Sequence, residues 1–416
     1  MWRLMWKSLL NRRSSVLLTV FMIAISVALF VTVELVRKQA KQSFTNTIAS
    51  TDLLVGARSG DINLLLYSVF HLGQPTANMS WHSYQAINQL NGVQWTVPLM
   101  LGDSHRGYRV LGTTEGYLTH YRYGQQQSLS VRQGAWFSGL FDVVLGSEVA
   151  AKLNYKLGDS LVLAHGTGSS VSFSNHDNMP FTVSGILAPT GTPVDRTLHV
   201  SLAAIEAIHI GWQGGVQTQQ VDVDQLNQYS LEPTAISAAL VGLSSKFQLL
   251  SVQRFINNYR AEALSAVLPG MALAQLWRLL SQAEVALQLL TICVVLIGLT
   301  GMVTTMLASL NERRREMAVL RAIGAGPRHI FGLLWCETML LAIIGTLGGL
   351  LLAQLLLLIA APWALHHYGL QLSLHLPDGQ LTLMLGAILA TAATIALLPA
   401  WRAYRTTLAD GLSQRL

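Results

Sequence analysis

The sequence predicts a membrane protein with four transmembrane α-helices and a large α/β extracytoplasmic domain inserted between helices 1 and 2. Three observations predict it. The 416 residues are 51% hydrophobic and only 12% charged, against about 25% charged in an ordinary soluble domain. Four apolar runs, near 14–36, 284–310, 330–361 and 381–398, each reach the roughly 18 residues that a membrane crossing needs. Between the first two, residues 38–280 alternate short apolar runs with turn residues, enough chain for one or two cores of mixed helix and strand.

Taken in order, the first run is preceded by Arg3, Lys7, Arg12 and Arg13, and a basic flank places that end in the cytoplasm. It is longer than the apolar stretch of a signal peptide, and no A-x-A site follows, so it reads as an uncleaved anchor. Arg37, Lys38 and Lys41 on its far side conflict mildly with that topology and fit a helix that continues out of the bilayer as a stalk. In the outer region, 142–146 reads as a strand and turn, and 147–153 as a short helix with Glu148 in its first turn. Residues 160–163 and 181–187 read as strands, the second ended by Pro189, Gly191 and Pro193; 200–210 looks helical. No internal repeat is visible, and 166–178 is the one low-complexity patch.

The run at 330–361 is about 48 Å of helix at 1.5 Å per residue, more than a hydrocarbon core of about 30 Å, so it tilts or begins along the interface. The loop before it carries Arg313, Arg314, Arg315, Arg321 and Arg328, and the C-terminal tail carries Arg402, Arg405 and Arg415. The loop 361–380 has no Lys or Arg. Four spans then put both termini inside and 38–280 outside. The domain reading is 1–37, 38–280 and 281–416.

The stretch 311–327 is the one strongly charged run in the apolar C-terminal third. Asn311 can cap a helix, Glu312 and Arg315 share a face, and Met317, Leu320 and Ile323 make an apolar stripe. Gly324, Gly326 and Pro327 stop it. These residues describe a short, basic, amphipathic helix at a membrane surface; a solvated loop held by its positive charge is the alternative.

The wording of this stretch, with Glu312, Arg313, Arg314, Arg315 and Glu316 followed by Leu320, Arg321, Ala322, Ile323, Gly324 and Ala325, then Glu337 and Gly345, closely resembles the FtsX-like permease domain of the MacB, lipoprotein-releasing (LolC/LolE) and FtsX group of ATP-binding-cassette systems. Leu398, Pro399, Ala400, Trp401, Arg402 and Ala403 are similar to that family's closing motif. Residues 143–163 and 181–206 resemble the MacB-like periplasmic core domain, and by analogy a subdomain lies near 115–215. The resemblance covers about 280–416 well and the N-terminal part more loosely. It implies an inner-membrane permease with its large domain in the periplasm. That permease works as a homodimer or heterodimer with two ATPase subunits, and ATP-driven closure is relayed to the periplasmic domain as mechanotransmission. Arg313, Arg314, Arg315, Glu316 and Arg321 would make the polar contacts of the ATPase-coupling helix, with Met317 and Leu320 as its ridge. Cargo would be a lipoprotein, peptide or amphiphile met on the periplasmic side, with or without an adaptor. An FtsX-like regulator without cargo, or a membrane-anchored sensor or scaffold, is the alternative.

A nucleotide-binding P-loop needs a Lys directly after a Gly, and no Lys here follows one. The chain is therefore not expected to be an enzyme or to bind a cofactor directly; ATP and Mg2+ would enter through the partner ATPase. Architecture without a fused ATPase is nearer LolC/LolE than MacB. Glu337, seven residues into an apolar run, is an intramembrane carboxylate and by default functional, although near the edge it can be solvated or pair with Arg321 or Arg328. Gly345 and Gly349 form a GxxxG step and Gly298 and Gly301 nearly one, small faces that let helices approach in transmembrane packing. Cys293 and Cys336 fall in spans as small packing residues. His165, His176 beside Asp177, His199, His209 and the pair His366 and His367 show no zinc spacing; surface histidines in loops explain them, so no metal is assigned, with a metal-linked 165–177 loop left as the lesser alternative. Gly102, Asp103, Ser104 and His105 do not make a nucleophile elbow, and the basic clusters, flanking spans, do not point to nucleic acid.

Overall fold

The computed structural model describes residues 12–47, 51–124, 126–165, 176, 178–213, 216–217, 219, 221, 223–312, 317, 319, 322, 324–368 and 377–405. The chain divides into two compact units. One comprises Met1–Gln39, Ser281–Trp363 and Leu372–Leu416; the other comprises Ala40–Leu280 with Ala364–Gln371.

The helical unit is built on four long helices: α1 (Arg13–Asn46), α8 (Pro269–Glu312), α9 (Pro327–Tyr368) and α10 (Gly379–Ile395), the last followed by α11 (Leu397–Arg405). All four are long and apolar enough to cross a membrane. α1 is their hub. Ile23, Val27, Ala28, Val31 and Leu35 are buried in one cluster with Val295, Leu299 and Met302 of α8, Ala342, Ala353 and Leu357 of α9, and Leu381 and Ala392 of α10. Close approach depends on glycine. A Cβ at Gly345 would lie 2.7 Å from Ile23 Cβ, and one at Gly349 would lie 2.7 Å from both the Ala24 carbonyl and Val27 Cβ. Gly298 and Gly301 face Ser26 and Met22 of α1 just as tightly. These small faces therefore serve packing within the chain.

Two of the three basic residues beyond the first span are matched by acids. Arg37 binds Glu34 at 2.6 Å and Glu284 at 3.4 Å, and Lys38 pairs with Asp378, the N-cap of α10. Lys41 lies 5.7 Å over the Trp277 ring. Cys293 and Cys336 are both exposed on the helix surfaces, which corrects the expectation that they fill helix interfaces: each lies on the face turned away from its neighbours.

The second unit holds an eleven-stranded mixed sheet. Its strands are β1 (Leu53–Ala57), β2 (Val93–His105), β3 (Tyr108–Thr113), β4 (Val131–Gly134), β5 (Asp142–Leu145), β6 (Ser160–Leu161), β7 (Ala164–His165), β8 (Phe181–Leu187), β9 (Thr197–Ser201), β10 (Ala238–Leu243) and β11 (Leu264–Val267). Their order is β11-β1-β10-β2-β3-β9-β5-β8-β4, with β7 on β2 and β6 on β8. β3 with β9 and β5 with β8 run parallel, and the helix crossovers that parallel pairs require include α5 (Ser147–Leu153), which lies between β5 and β8. α6 is Leu202–His209, opened by Ser201, whose hydroxyl accepts from Ala204 N. Val200 belongs to β9, so the helix expected over 200–210 starts two residues later, after its cap.

Fully buried Val143, Val144, Leu145, Phe181, Leu198 and Val200 show why these segments are strands. Residues 143–145 form a continuous apolar run, the pattern of a strand covered on both faces.

Candidate functional site

At one end of the helical unit, the segment between α8 and α9 starts and stops on fixed points. Arg12 donates to the Ser309 carbonyl at 3.1 Å, satisfying a last-turn acceptor of α8. Gly324 has φ +102, the left-handed conformation that ends helices and that suits glycine. The Gly326 carbonyl then accepts from His329 N and Ile330 N at 3.0 and 3.4 Å, and Pro327 opens α9, where a missing N–H costs nothing.

Beneath the segment lies a small apolar cluster of Ile330, Leu334 and Ala400, joined by Leu307, Met317, Phe331 and Trp335. The Trp335 indole donates to the Ala393 carbonyl at 3.1 Å. Met317 is half-buried against this cluster. Val319 and Ala322 are exposed. Arg313, Arg314, Arg315, Glu316, Leu320 and Arg321 lie outside the described residues. Glu337 is only 3% exposed, so it is enclosed by the helical unit and not solvated at its rim.

In the sheet unit, the end of α1 and the start of α8 enter the core. Phe44 packs on Phe70 and Trp277 at ring-centroid distances of 4.8 and 5.8 Å. Ala272, Leu273, Leu276 and Trp277 join the cluster that holds Leu54, Leu64, Leu99 and Leu240.

Beside Phe44 lies a cavity of 330 Å³ lined by residues that include Phe70, His71, Tyr108, Arg109, Thr192 and Arg196. Its walls are organised by buried polar groups. The Thr197 hydroxyl donates to the Pro193 carbonyl at 2.9 Å and so accepts from His71 Nδ1–H at 2.8 Å. Burial, with the charges of His199 and Arg109, pushes the His71 imidazole down to about 3, so it is neutral. His199, also buried, is pushed down to about 4 by desolvation, against a hydrogen bond with the Val144 carbonyl. Asp195 accepts from Thr190 N, Gly191 N and the Thr190 hydroxyl at 2.6–2.9 Å. Burial raises its carboxyl above the usual range while these donors oppose the shift.

The expectation that the outer-region histidines are surface loop residues is corrected for His176 and His199. His199 is on β9 and fully buried, His176 is fully buried, and His71 and His105 are 7% and 6% exposed. Each serves a tertiary contact that sequence spacing does not reveal. Three segments also converge: Asp103, His176 and His209 offer ligand atoms all within 4.8 Å of one another. His165 stands opposite Asp103 in the β7–β2 register. The side chains of His366 and His367, and Asp177, lie outside the described residues.

The MacB-like periplasmic core domain family matches residues 16–232, more than half of the chain, and the FtsX-like permease C-terminal family matches 289–408. The macrolide export ATP-binding/permease protein MacB of Nitrobacter winogradskyi is 24% identical over 295 residues, 65% of this chain and 40% of that protein. The lipoprotein-releasing system transmembrane protein LolC of Xylella fastidiosa is 22% identical over 293 residues, 66% of this chain and 65% of that protein. The crystal structure of the periplasmic region of MacB from Actinobacillus actinomycetemcomitans aligns with a TM-score of 0.33 and 12% identity, over 55% of this chain and 94% of that one. The chain spans between 40% and 65% of the length of these two curated relatives. It belongs to the MacB/LolC-like family of ABC transporter permeases, which joins a MacB-like periplasmic core domain to an FtsX-like permease domain.

Proposed function

We propose that this chain couples ATP hydrolysis by a separate cytoplasmic ATPase to movement of its periplasmic domain. Segment 311–327 docks into that ATPase, with Arg313, Arg314, Arg315, Glu316 and Arg321 as polar contacts and Leu320 as the apolar one. Met317 holds the segment to the cluster on Ile330 and Leu334. Glu337 is enclosed within the helical unit. The protein sits in the bacterial inner membrane with both termini cytoplasmic. It functions as a dimer, with itself or a similar permease, on two ATPase subunits that bind the ATP and Mg2+. Its cargo, a lipoprotein, peptide or amphiphile, is handled on the periplasmic side.

The observation that carries this reading is the continuity of α1 and α8. Each is one helix from an apolar span to the core of the sheet unit, where Phe44, Leu273 and Trp277 are packed. The packing of these side chains in that core supports a relay of helix movement to the sheet unit. No channel through the bilayer is needed.

The test reads distance. With Cys293 and Cys336 replaced by serine, spin labels are placed at Phe247, which is 99% exposed, and Leu383, which is 74% exposed. The labelled protein is reconstituted with its ATPase in nanodiscs. Trapping with ATP and vanadate is expected to shift the label-to-label distribution beyond its resting width. An unchanged distribution, in a preparation that hydrolyses ATP, would remove mechanical coupling as the function.

A further inference from the structure

We infer that Asp103, His176 and His209 form a binding site for one divalent transition-metal ion of the zinc class in the sheet unit. The ligand set is two imidazoles and a carboxylate, which suits borderline ions such as Zn2+ and excludes Mg2+ and Ca2+, which prefer oxygen.

The local geometry prepares each residue. Asp103 lies on β2 where the register against β3 slips between Leu101 and Ser104, and such a bulge re-aims a side chain. Its side chain is buried, and a metal ion supplies the positive charge that favours a buried carboxylate. His209 closes α6. Its Nδ1 lies 2.6 Å from the Ile205 carbonyl; a carbonyl only accepts, so Nδ1 carries a proton. In the neutral ring that leaves the Nε2 lone pair for a ligand, the tautomer selection typical of metal-bound histidine.

That Nε2 faces Asp103 Oδ1 at 3.7 Å. An imidazole lone pair and a carboxylate oxygen are both acceptors, so a cation belongs between them: a proton on Nε2 or a metal. His176 decides in favour of the metal, because it brings a second imidazole to the same point. Its ring centroid is 5.4 Å from that of His209, and Trp212 covers it at 4.7 Å. Two imidazoles and one carboxylate exceed what a single proton can join. Ligand atoms around a tetrahedral ion with bonds of about 2.0 Å stand about 3.3 Å apart, so the 3.7 Å pair is nearly in place and the third ligand, within 4.8 Å, closes by no more than about 1.5 Å. His209 keeps 33% of its side chain exposed, which gives the ion an entry path.

The ligands come from β2, from the chain just before β8 and from the end of α6, so the ion would tie three distant segments of the sheet unit together. His105, on the same strand, is not a ligand: its two ring nitrogens are engaged by the Val162 carbonyl at 2.7 Å and the Tyr155 hydroxyl at 2.9 Å.

The experiment uses the full-length chain in detergent, stripped with chelator and titrated with Zn2+ by calorimetry. One ion per chain is expected. His176→Ala and His209→Ala are each expected to weaken it by about 100-fold or more, since even an outer-shell partner is worth about 10- to 100-fold. Asp103→Asn should weaken it as well, and His105→Gln should leave it unchanged. Saturating Zn2+ should raise the melting midpoint of wild type by roughly 5 °C. Co2+ added to wild type supplies a reading that needs no variant to fold: intense visible bands of a four-coordinate ion are expected. No stoichiometric Zn2+ uptake, uptake shared equally by wild type and the three ligand variants, or the weak bands of hexaaquo Co2+ would overturn the assignment.

Discussion

Gly349→Leu is expected to lower the melting midpoint of the detergent-solubilised protein by several degrees and to reduce its yield of folded monodisperse material. The new Cβ would meet the Ala24 carbonyl and Val27 Cβ at 2.7 Å. The first is backbone and cannot rotate away, so α1 and α9 must separate. Overpacking of this kind costs about 1–3 kcal/mol, occasionally more. The loss spreads further because α1 is the hub on which α8, α9 and α10 are assembled. Gly386→Leu on α10, where a Cβ would have nothing within 4 Å, is the control and should melt with wild type. Equal melting of both variants would mean that the helix packing described here is wrong at its centre.

The second large effect is on pH. His71 and His199 are held neutral in the folded sheet unit, at about 3 and about 4, while unfolded histidine titrates near 6.5. Below about pH 6.5 the unfolded chain therefore binds protons that the folded chain refuses, so ν_U exceeds ν_N and stability decreases as the pH is lowered. The contribution is complete above about pH 6.5 and is lost progressively as pH drops toward the folded values. Between pH 7 and 4.5 the two groups together remove about 2–5 kcal/mol. Asp195, whose carboxyl is raised by burial, acts in the opposite sense only near the carboxylate range. Urea unfolding followed by tryptophan fluorescence should show the midpoint decreasing steadily below pH 6.5. A His71→Asn, His199→Gln variant should show a flatter profile. A wild-type midpoint constant from pH 7 to 4.5 would contradict the neutral, buried assignment.

Much of the fold was legible in the sequence because its signals are local. A span announces itself by length and apolarity, and 14–36, 284–310, 330–361 and 381–398 all fall within helices observed as Arg13–Asn46, Pro269–Glu312, Pro327–Tyr368 and, for the last, Gly379–Ile395 running on into Leu397–Arg405. The strand, turn and helix over 142–153 is equally local: β-branched Val143 and Val144, the turn at Gly146, then Ser147 opening a helix. Three features were not legible. Mean apolarity does not say how far a helix runs past the bilayer, so the packing of Phe44 and Trp277 in the sheet unit had no sequence signal. The glycine steps showed that close approach was available but not that α1 would fill it. The histidines gave no signal because their partners are far away in sequence. Asp103, His176 and His209 share no motif spacing, and only the β2 bulge together with the end of α6 makes them neighbours. Among them, a carboxylate beside Gly102 in a strand was the one available hint, since glycine inside a strand often marks a bulge.

The proposed role of segment 311–327 is tested most directly by co-purification with a co-expressed ABC ATPase subunit. The comparison is between wild type and a Glu316→Lys, Leu320→Asp double variant, with circular dichroism and melting used to verify that both are folded. Wild type is expected to retain the ATPase through gel filtration. The double variant, which reverses one charge and places another on the apolar stripe, should lose at least about tenfold in affinity, or roughly 1.4 kcal/mol. Retention of the ATPase by both proteins, or by neither, would contradict the coupling role of this helix.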